Sequence, residues 1–310
     1  MALGTNNVTT TTAAKFIPEI WSDEIVAAYK SNLVAANLFS KMSFKGKKGD
    51  VLHIPKPTRG AASAKAASTQ VTLIAATENE ILVNIDKHYE YSRFIEDIVE
   101  TQALSSLRKF YTDDAGHALA KQVDTDLIQL GRTAGSGTAY STAASTTNAF
   151  IGSNGTTVYN SSSSNAAALT DAAIRRTIQR LDDADVPMTD RMLIVPPSTR
   201  NTLMGIARFT EQSFVGEQGS ANTIRNGLIG DVYGVKVYVT TNADAGAGNS
   251  GADRICLMAH KDAFCLAEQM GVRSQTQYKQ EWLATLFTSD MLYGVAELRD
   301  SSAVALAVPA

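Results

Sequence analysis

The run Asn226-Gly-Leu-Ile-Gly-Asp-Val-Tyr-Gly-Val-Lys-Val-Tyr-Val-Thr240 combines two backbone patterns in fifteen residues. Glycines at 227, 230 and 234 permit bends that side chains would block. Behind them, Val235, Val237 and Val239 alternate with Lys236, Tyr238 and Thr240, the period of a half-buried strand. Two more runs follow. Ala259-His-Lys-Asp-Ala-Phe264 reads as a turn at His260 to Ala263 between strands Ile255–Ala259 and Phe264–Ala267. Leu292-Tyr-Gly-Val-Ala-Glu-Leu-Arg-Asp-Ser-Ser-Ala-Val-Ala-Leu-Ala307 is strand-like from Tyr293 onward.

Working back from Asn226, the pattern is regular α/β as far as Thr170. Thr170 suits the cap of a helix running to about Ala184, with Ile174, Ile178 and Leu181 inward. Arg191-Met-Leu-Ile-Val195 is a short buried strand. Ser198 is placed to cap a helix carrying Leu203, Met204 and Ile206. Residues 209–226 and 242–252 read as loops. From Thr133 to Thr170, 38 positions hold no charged residue. This is read as a long surface insertion, with a hairpin between Phe150-Ile151 and Val158-Tyr159. Before it, Ile98 to Gly131 is the longest helical candidate, with Leu104, Leu107, Tyr111, Ala115, Ala118, Val123, Leu127 and Leu130 at helical steps. It would be roughly 50 Å long.

Near the start, residues 1–14 are uncharged and read as a flexible arm. Pro18 opens an amphipathic helix carrying Ile20, Trp21, Ile25, Tyr29, Leu33 and Leu38. Lys45-Gly-Lys-Lys-Gly-Asp50 is a turn, and Val51-Leu-His-Ile54 a short strand stopped by Pro55 and Pro57. Residues 60–70 have no large apolar side chain, and alternation returns at Ile81, Val83 and Ile85. Together they describe a long hairpin that needs another surface to lie on. Charge is divided along it. Lys41 to Lys65 holds seven basic residues and one acid, whereas Ala66 to Glu100 holds seven acids and two bases.

Composition sets outer limits. The 310 residues, 44% hydrophobic, suit one large domain or two subdomains. No apolar run approaches a membrane span, and the N-terminus lacks the basic start and apolar stretch of a secretory signal, which implies cytosolic synthesis. A net charge of −3 argues against dedicated nucleic-acid binding. Cys256 and Cys265 flank the His260 turn. If Ala259 paired with Phe264, Cys265 would lie opposite Met258 and Cys256 only diagonally, too far for a disulfide. Both are read as small core residues in a reducing compartment.

Signals for chemistry are absent. His53, His88, His117 and His260 have no second ligand at metal-binding spacing. Asp124 and Asp126, two apart on a helix, point to different sides. Gly46-Lys-Lys-Gly49 lacks the spacer and ending of a phosphate loop, and no serine sits in a nucleophile elbow. No catalytic, cofactor or metal residue is assigned.

In their order and distances, the three runs above resemble the major capsid proteins of tailed bacteriophages, which share the Hong Kong 97-type fold. Further matches support the resemblance: Ile81-Leu-Val-Asn-Ile-Asp-Lys-His-Tyr89 with Phe94-Ile-Glu-Asp97 and Gln102, Asp124-Thr-Asp126 with Leu127, and Arg191-Met-Leu-Ile-Val-Pro-Pro-Ser198. The resemblance implies an α+β chain. It divides into an N-terminal arm and helix (1–45), an extended hairpin loop (46–86), a peripheral domain with a long spine helix (87–132 and 275–310), the uncharged insertion (133–169) and an axial α/β domain (170–274). The implied work is self-assembly through hexamers and pentamers into an icosahedral shell around double-stranded DNA.

The implied partners are many copies of itself, a separate scaffolding protein, a portal, a decoration or cement protein, and DNA through weak non-specific contact. Charged candidates for contact between subunits are Lys45, Lys47, Lys48, Lys56, Arg59 and Lys65, with Glu78, Glu80, Asp182, Asp183 and Asp185 as acidic counterparts. In some members of the family a lysine of the extended loop joins an asparagine of a neighbour. Lys56 and Lys65 lie on the corresponding hairpin, with no matching asparagine and glutamate identified. Two other readings stand beside this one: an encapsulin-like compartment shell, and a soluble α/β hydrolase with Ser198 as nucleophile and His260 as base.

Overall fold

The computed structural model describes residues 33–46, 48–57, 60–71, 73, 78–98, 107–206, 230–248 and 251–310. The uncharged arm, most of the helix opened by Pro18, the 209–226 loop and Gly227-Leu-Ile lie outside the described residues.

Strands β6 (Arg191–Val195), β8 (Val235–Val239) and β9 (Arg254–His260) form the middle of a six-stranded sheet. Its order is β5-β12-β9-β6-β8-β7, with β5 (Phe150–Ile151), β7 (Asp231–Val232) and β12 (Ala303–Val308) completing it. All five β6 residues are buried. Alternation therefore feeds two cores. Met192, Ile194, Leu257 and Ala259 face one way, and Leu193, Val195, Cys256 and Met258 the other.

The second face is covered by α3 (Asp171–Asp183), whose Ala173, Ile174 and Leu181 are buried. The Thr170 hydroxyl accepts from the Ala173 N–H at 3.3 Å, the expected cap. The first face receives the spine helix, α2 (Leu107–Gln129), through Leu119, Val123, Leu127 and Ile128. Each such leucine or isoleucine contributes about 2 kcal/mol by leaving water. At the β7–β8 hairpin, Tyr233 and Gly234 both have positive φ, 52° and 77°, the signature of a two-residue turn that glycine tolerates.

The same core continues into a four-stranded sheet of order β1-β10-β11-β4. Its strands are β1 (Ser40–Ser43), β4 (Lys87–Glu96), β10 (Phe264–Lys279) and β11 (Ala284–Glu297). β10 and β11 form a long hairpin running from Phe264↔Glu297 to Lys279↔Ala284. The hairpin of β2 (Val51–Pro57) and β3 (Glu78–Asn84) is a separate two-stranded ribbon.

Several expectations require correction. β9 and β10 do not pair with each other: β9 lies between β12 and β6, and β10 between β1 and β11. The condition placed on the two cysteines therefore does not arise. Both are free and buried, and burial pushes the Cys256 thiol up to about 12. The terminal strand-like run is two strands in different sheets, separated by a 3-10 turn at Asp300–Ser302. β2 runs on through Pro55 and Pro57, where the sequence reading stopped it. Ser198 is not a helix cap. Pro196 takes that position before α4 (Pro197–Met204), and the Ser198 hydroxyl donates to the Pro309 carbonyl at 3.3 Å.

The uncharged insertion is more than surface loop, because Tyr140, Ala149 and Tyr159 build a third core with Ile255, Ala305 and Ala307. Polar bonding replaces charge there. Asn148 donates to the Arg132 and Ala134 carbonyls, and the two tyrosine hydroxyls donate to Asp244 and Asp253.

Asp124 and Asp126 do diverge, and each has a structural task. Fully buried Asp124 accepts from the Val34 and Ala35 N–H groups at 2.9 and 2.6 Å and from the Asn242 amide at 3.1 Å. It thereby fixes the start of α1 (Ala35–Leu38) to the spine helix. Asp126 accepts from the Tyr293 hydroxyl at 2.7 Å and pairs with Lys87 at 3.1 Å. Asp124→Ala leaves three donors without their acceptor. Unfolding in urea is expected to show a loss of about 3 kcal/mol. A loss within about 0.5 kcal/mol would mean that water replaces the carboxylate.

Candidate assembly surfaces

The ribbon is rooted on its own subunit, and its described residues beyond the root are exposed. Val83 is buried with Cys265 and Ala267, and Leu52 and Ile54 pack against the same cluster. Asn84 comes so close to β11 that a side chain at Gly294 would clash with the Asn84 carbonyl oxygen. Past Ile54 and Ile81 this support ends. Pro55, Lys56, Pro57, Glu78, Asn79 and Glu80 are all exposed, as are residues 60–71. Val71 and Leu73 are 67% and 92% exposed, so the distal part carries apolar groups without cover among the described residues. The sequence reading has the hairpin lie on another surface; the root finds one on its own subunit, and the described distal residues are exposed.

A second surface lies where the β10–β11 turn meets the end of β4. Phe94, Ile98, Trp282 and Leu283 are 57%, 60%, 70% and 66% exposed. The Phe94 and Trp282 rings lie 6.5 Å apart. The turn is held by the Asp97 N–H donating to the Leu283 carbonyl at 3.1 Å and the Tyr278 hydroxyl donating to Asp97 at 2.7 Å. Large apolar groups clustered on a pinned turn mark an interaction surface. Sequence reasoning missed this site. Its available signal was Trp282-Leu283, an apolar pair at a turn after polar Lys279, Gln280 and Glu281.

The charged candidates fall into different situations. Lys47 and Arg59 lie outside the described residues. Lys48, Lys56, Lys65, Glu78, Asp183 and Asp185 are exposed. Lys45 pairs with Glu268 at 3.1 Å, Glu80 with His53 at 2.8 Å, and Asp182 with buried Arg191 at 2.7 Å. The two charge blocks also meet inside one ribbon, since Lys56 stands opposite Asn79 and Pro57 opposite Glu78.

At the ribbon root, the Thr133 hydroxyl donates to Glu297 Oε2 at 3.1 Å, while Oε1 is buried without a partner among the described residues. Burial pushes the Glu297 carboxyl up and nearby Asp300 adds to this, against the Thr133 bond and the Lys56 charge. A raised carboxyl pKa favours the folded state below the unfolded value, about 4.3, and that advantage is lost as pH rises through the folded value. Glu297→Gln is therefore expected to melt higher than the parent at pH 7, with the difference closing below about pH 4. An equal difference at both pH values would contradict the assignment.

The hydrolase reading fails geometrically. Ser198 bonds to Pro309, next to Val308, which pairs with Arg254 at one end of β9; His260 is at the other. Six residue steps along the strand set those ends about 20 Å apart. Among the described residues no three His, Cys, Asp or Glu side chains group as a metal site, and no helix is long and apolar enough to cross a membrane.

A spine helix, a projecting ribbon, and a six-stranded and a four-stranded sheet sharing one core define a shell-building subunit of the Hong Kong 97 type. Residues 36–307 match the family described as phage capsid protein, and the chain belongs to that family. Among solved structures it is similar to that of Mycobacterium phage Che8, with TM-score 0.74 and 22% identity over 98% of both chains. It is also similar to the capsid of cyanophage P-SCSP1u, with TM-score 0.75 and 20% identity over 99% of this chain and 96% of that one. The head of Helicobacter pylori bacteriophage KHP40 gives TM-score 0.72 and 13% identity over 99% of each chain. No curated protein sequence matches significantly. The chain is a structural major capsid protein of the virion, built into assemblies of many copies. Nothing in these comparisons supports the compartment-shell or hydrolase alternatives.

Proposed function

We propose that copies of this chain join as hexamers and pentamers into a closed icosahedral shell around double-stranded DNA, and that its role is non-enzymatic. The carrying observation is the ribbon, whose distal residues are exposed while its root is anchored. A subunit that leaves such groups in water gains burial only when a neighbour covers them. The apolar turn at Phe94, Trp282 and Leu283 offers a second contact on a different part of the subunit. Several weak contacts per subunit let misplaced copies leave, yet hold a completed shell firmly.

The division of labour follows the segments 1–45, 46–86, 87–132 with 275–310, 133–169 and 170–274. The first two and the peripheral part contact neighbours, and 170–274 gathers around the capsomer axis. Lys48, Lys56 and Lys65 supply basic groups for steering toward Glu78, Asp183 and Asp185 of other copies. Synthesis takes place in the host bacterial cytoplasm. A separate scaffolding protein sets curvature, a portal occupies one vertex, a decoration or cement protein binds outside, and DNA meets the inner face without sequence preference.

Sedimentation of the purified protein, alone and with its scaffolding protein, tests the proposal. Particles of many megadaltons are expected. Only small discrete oligomers in every condition would sink it.

A further inference from the structure

We infer that Glu297 and Asp300 hold one proton between them and give it up in exchange for the ammonium group of Lys56, so that the seating of the ribbon on its subunit responds to pH. The exchange goes beyond the assembly role proposed above and does not depend on it.

Several parts of the chain meet at this pair. Glu297 ends β11 in the four-stranded sheet, and Asp300 opens the 3-10 turn that leads to β12 in the six-stranded sheet. Thr133 and Gly135 follow the spine helix and start the uncharged insertion. The Thr133 hydroxyl donates to Glu297 Oε2, and the Gly135 N–H donates to Asp300 Oδ1. The Asp300 carboxyl lies within hydrogen-bonding reach of the Glu297 carboxyl.

Two ionised carboxylates only accept, so they form no hydrogen bond with each other. Glu297 Oε1 is then left buried with no partner among the described residues. One proton, placed on Oε1 and donated to Asp300, removes both defects. Burial of Glu297 and the like charge beside it favour keeping that proton.

The opposing pull comes from the ribbon. Side chains alternate along β2, so Lys56 shares the face that carries Leu52 and Ile54. Those two pack against the same cluster as Ala296 and Leu298, the residues flanking Glu297. The Lys56 charge reaches Glu297 and favours its ionised form. Asp300 and Lys56 are thus the charged groups acting on Glu297, while Arg132, next to Thr133, is engaged by Asp244.

Asp300 is exposed, which gives the proton a route to water. As pH rises, the pair passes from one negative charge to two. The proton goes to solvent, no covalent bond between heavy atoms changes, and Lys56, which keeps its own proton, is drawn in. At lower pH Lys56 is released and joins Lys48 and Lys65 as a basic group presented to other copies. That last consequence alone rests on the assembly role.

Carbon-13 NMR of free full-length subunits tests the exchange. The subunits are labelled at the glutamate side-chain carboxyl and the lysine ε-carbon, and titrated from about pH 4 to about pH 8. Glu297 is assigned by loss of its signal in Glu297→Gln, and Lys56 by loss of its signal in Lys56→Arg. The Glu297 and Lys56 signals are expected to move together, with one shared midpoint. In Glu297→Gln, whose amide donates to Asp300 at every pH, the Lys56 step should be lost. Asp300→Asn keeps an acceptor for the Gly135 N–H and supplies a donor to Glu297, so the Glu297 midpoint should fall to lower pH.

A Glu297 signal that titrates like an exposed glutamate would overturn the inference, as would a Lys56 step that survives in Glu297→Gln. Calcium chloride that moves both signals at constant pH, where acid does not, would also overturn it, by making the pair a cation site. A shared midpoint in free subunits, with assembly indifferent to pH, would count only against the consequence for other copies.

Discussion

A variant in which residues 57–78 are replaced by Asn-Gly is expected to fold normally and to build no shells at concentrations where the parent assembles fully. Lys56 and Asn79 are a hydrogen-bonded cross-strand pair, the geometry that a two-residue turn closes. The ribbon root remains, because its support comes from Leu52, Ile54 and Val83 against Cys265 and Ala267. The unfolding midpoint should therefore change little. The described residues that are removed are all exposed, so the described core loses no packing. Loss of about 3 kcal/mol of contact per subunit raises the threshold concentration about 100-fold. The checks are a urea unfolding curve and sedimentation at matched concentrations. Normal shells from the shortened chain would show that the ribbon is dispensable.

Arg132→Ala should lower subunit stability as much as Asp124→Ala does. Arg132 follows the spine helix and holds Asp244 through two hydrogen bonds of 2.7 Å each. Asp244 is buried and also accepts from the Tyr140 hydroxyl at 2.9 Å. That hydroxyl is buried as well, and its ionisation is pushed far up, chiefly by burial and then by the Asp244 charge. One guanidinium therefore neutralises the carboxylate that ties the 242–253 loop to the uncharged insertion. Removing it strands a buried charge, at a cost of about 3 kcal/mol; the low end of the range applies because Arg132 is itself a third exposed. The double variant Arg132→Ala/Asp244→Asn should recover part of the loss, since no charge is then left unpaired. An unfolding curve for Arg132→Ala that matches the parent would show that water reaches Asp244 freely.

The sequence revealed elements whose signals were local. Val235, Val237 and Val239, the five apolar or buried positions of Arg191–Val195, and the Thr170 cap each declared a strand or helix by period or chemistry. The ribbon was legible from the contrast between Val51–Ile54 or Ile81–Ile85 and the small residues between them. Pairing was less visible. Ile255–Ala259 and Phe264–Ala267, joined by a short turn, look like a hairpin, yet each is claimed by longer neighbours, β12 and β11. Nothing in a four-residue turn announces that the chain is crossing between sheets. The insertion was underrated for a similar reason. Charge and aliphatic periodicity are the usual marks of folded structure, while Tyr140, Tyr159 and Asn148 hold this segment through hydrogen bonds to Asp244, Asp253 and main-chain carbonyls. Of the surfaces, the charged candidates were named from blocks of like sign. Three of them, Lys45, Glu80 and Asp182, have partners in their own chain. The apolar turn at Trp282 became evident only when β4 brought Phe94 beside it.

Electron microscopy of particles assembled from the purified chain, at a resolution that traces the backbone, is the most direct test. The expected map shows a closed shell in which each ribbon, beyond Ile54 and Ile81, lies on the subunit next to its own. A closed shell in which every distal ribbon packs only on its parent subunit would contradict this, and so would a preparation in which no shell ever forms.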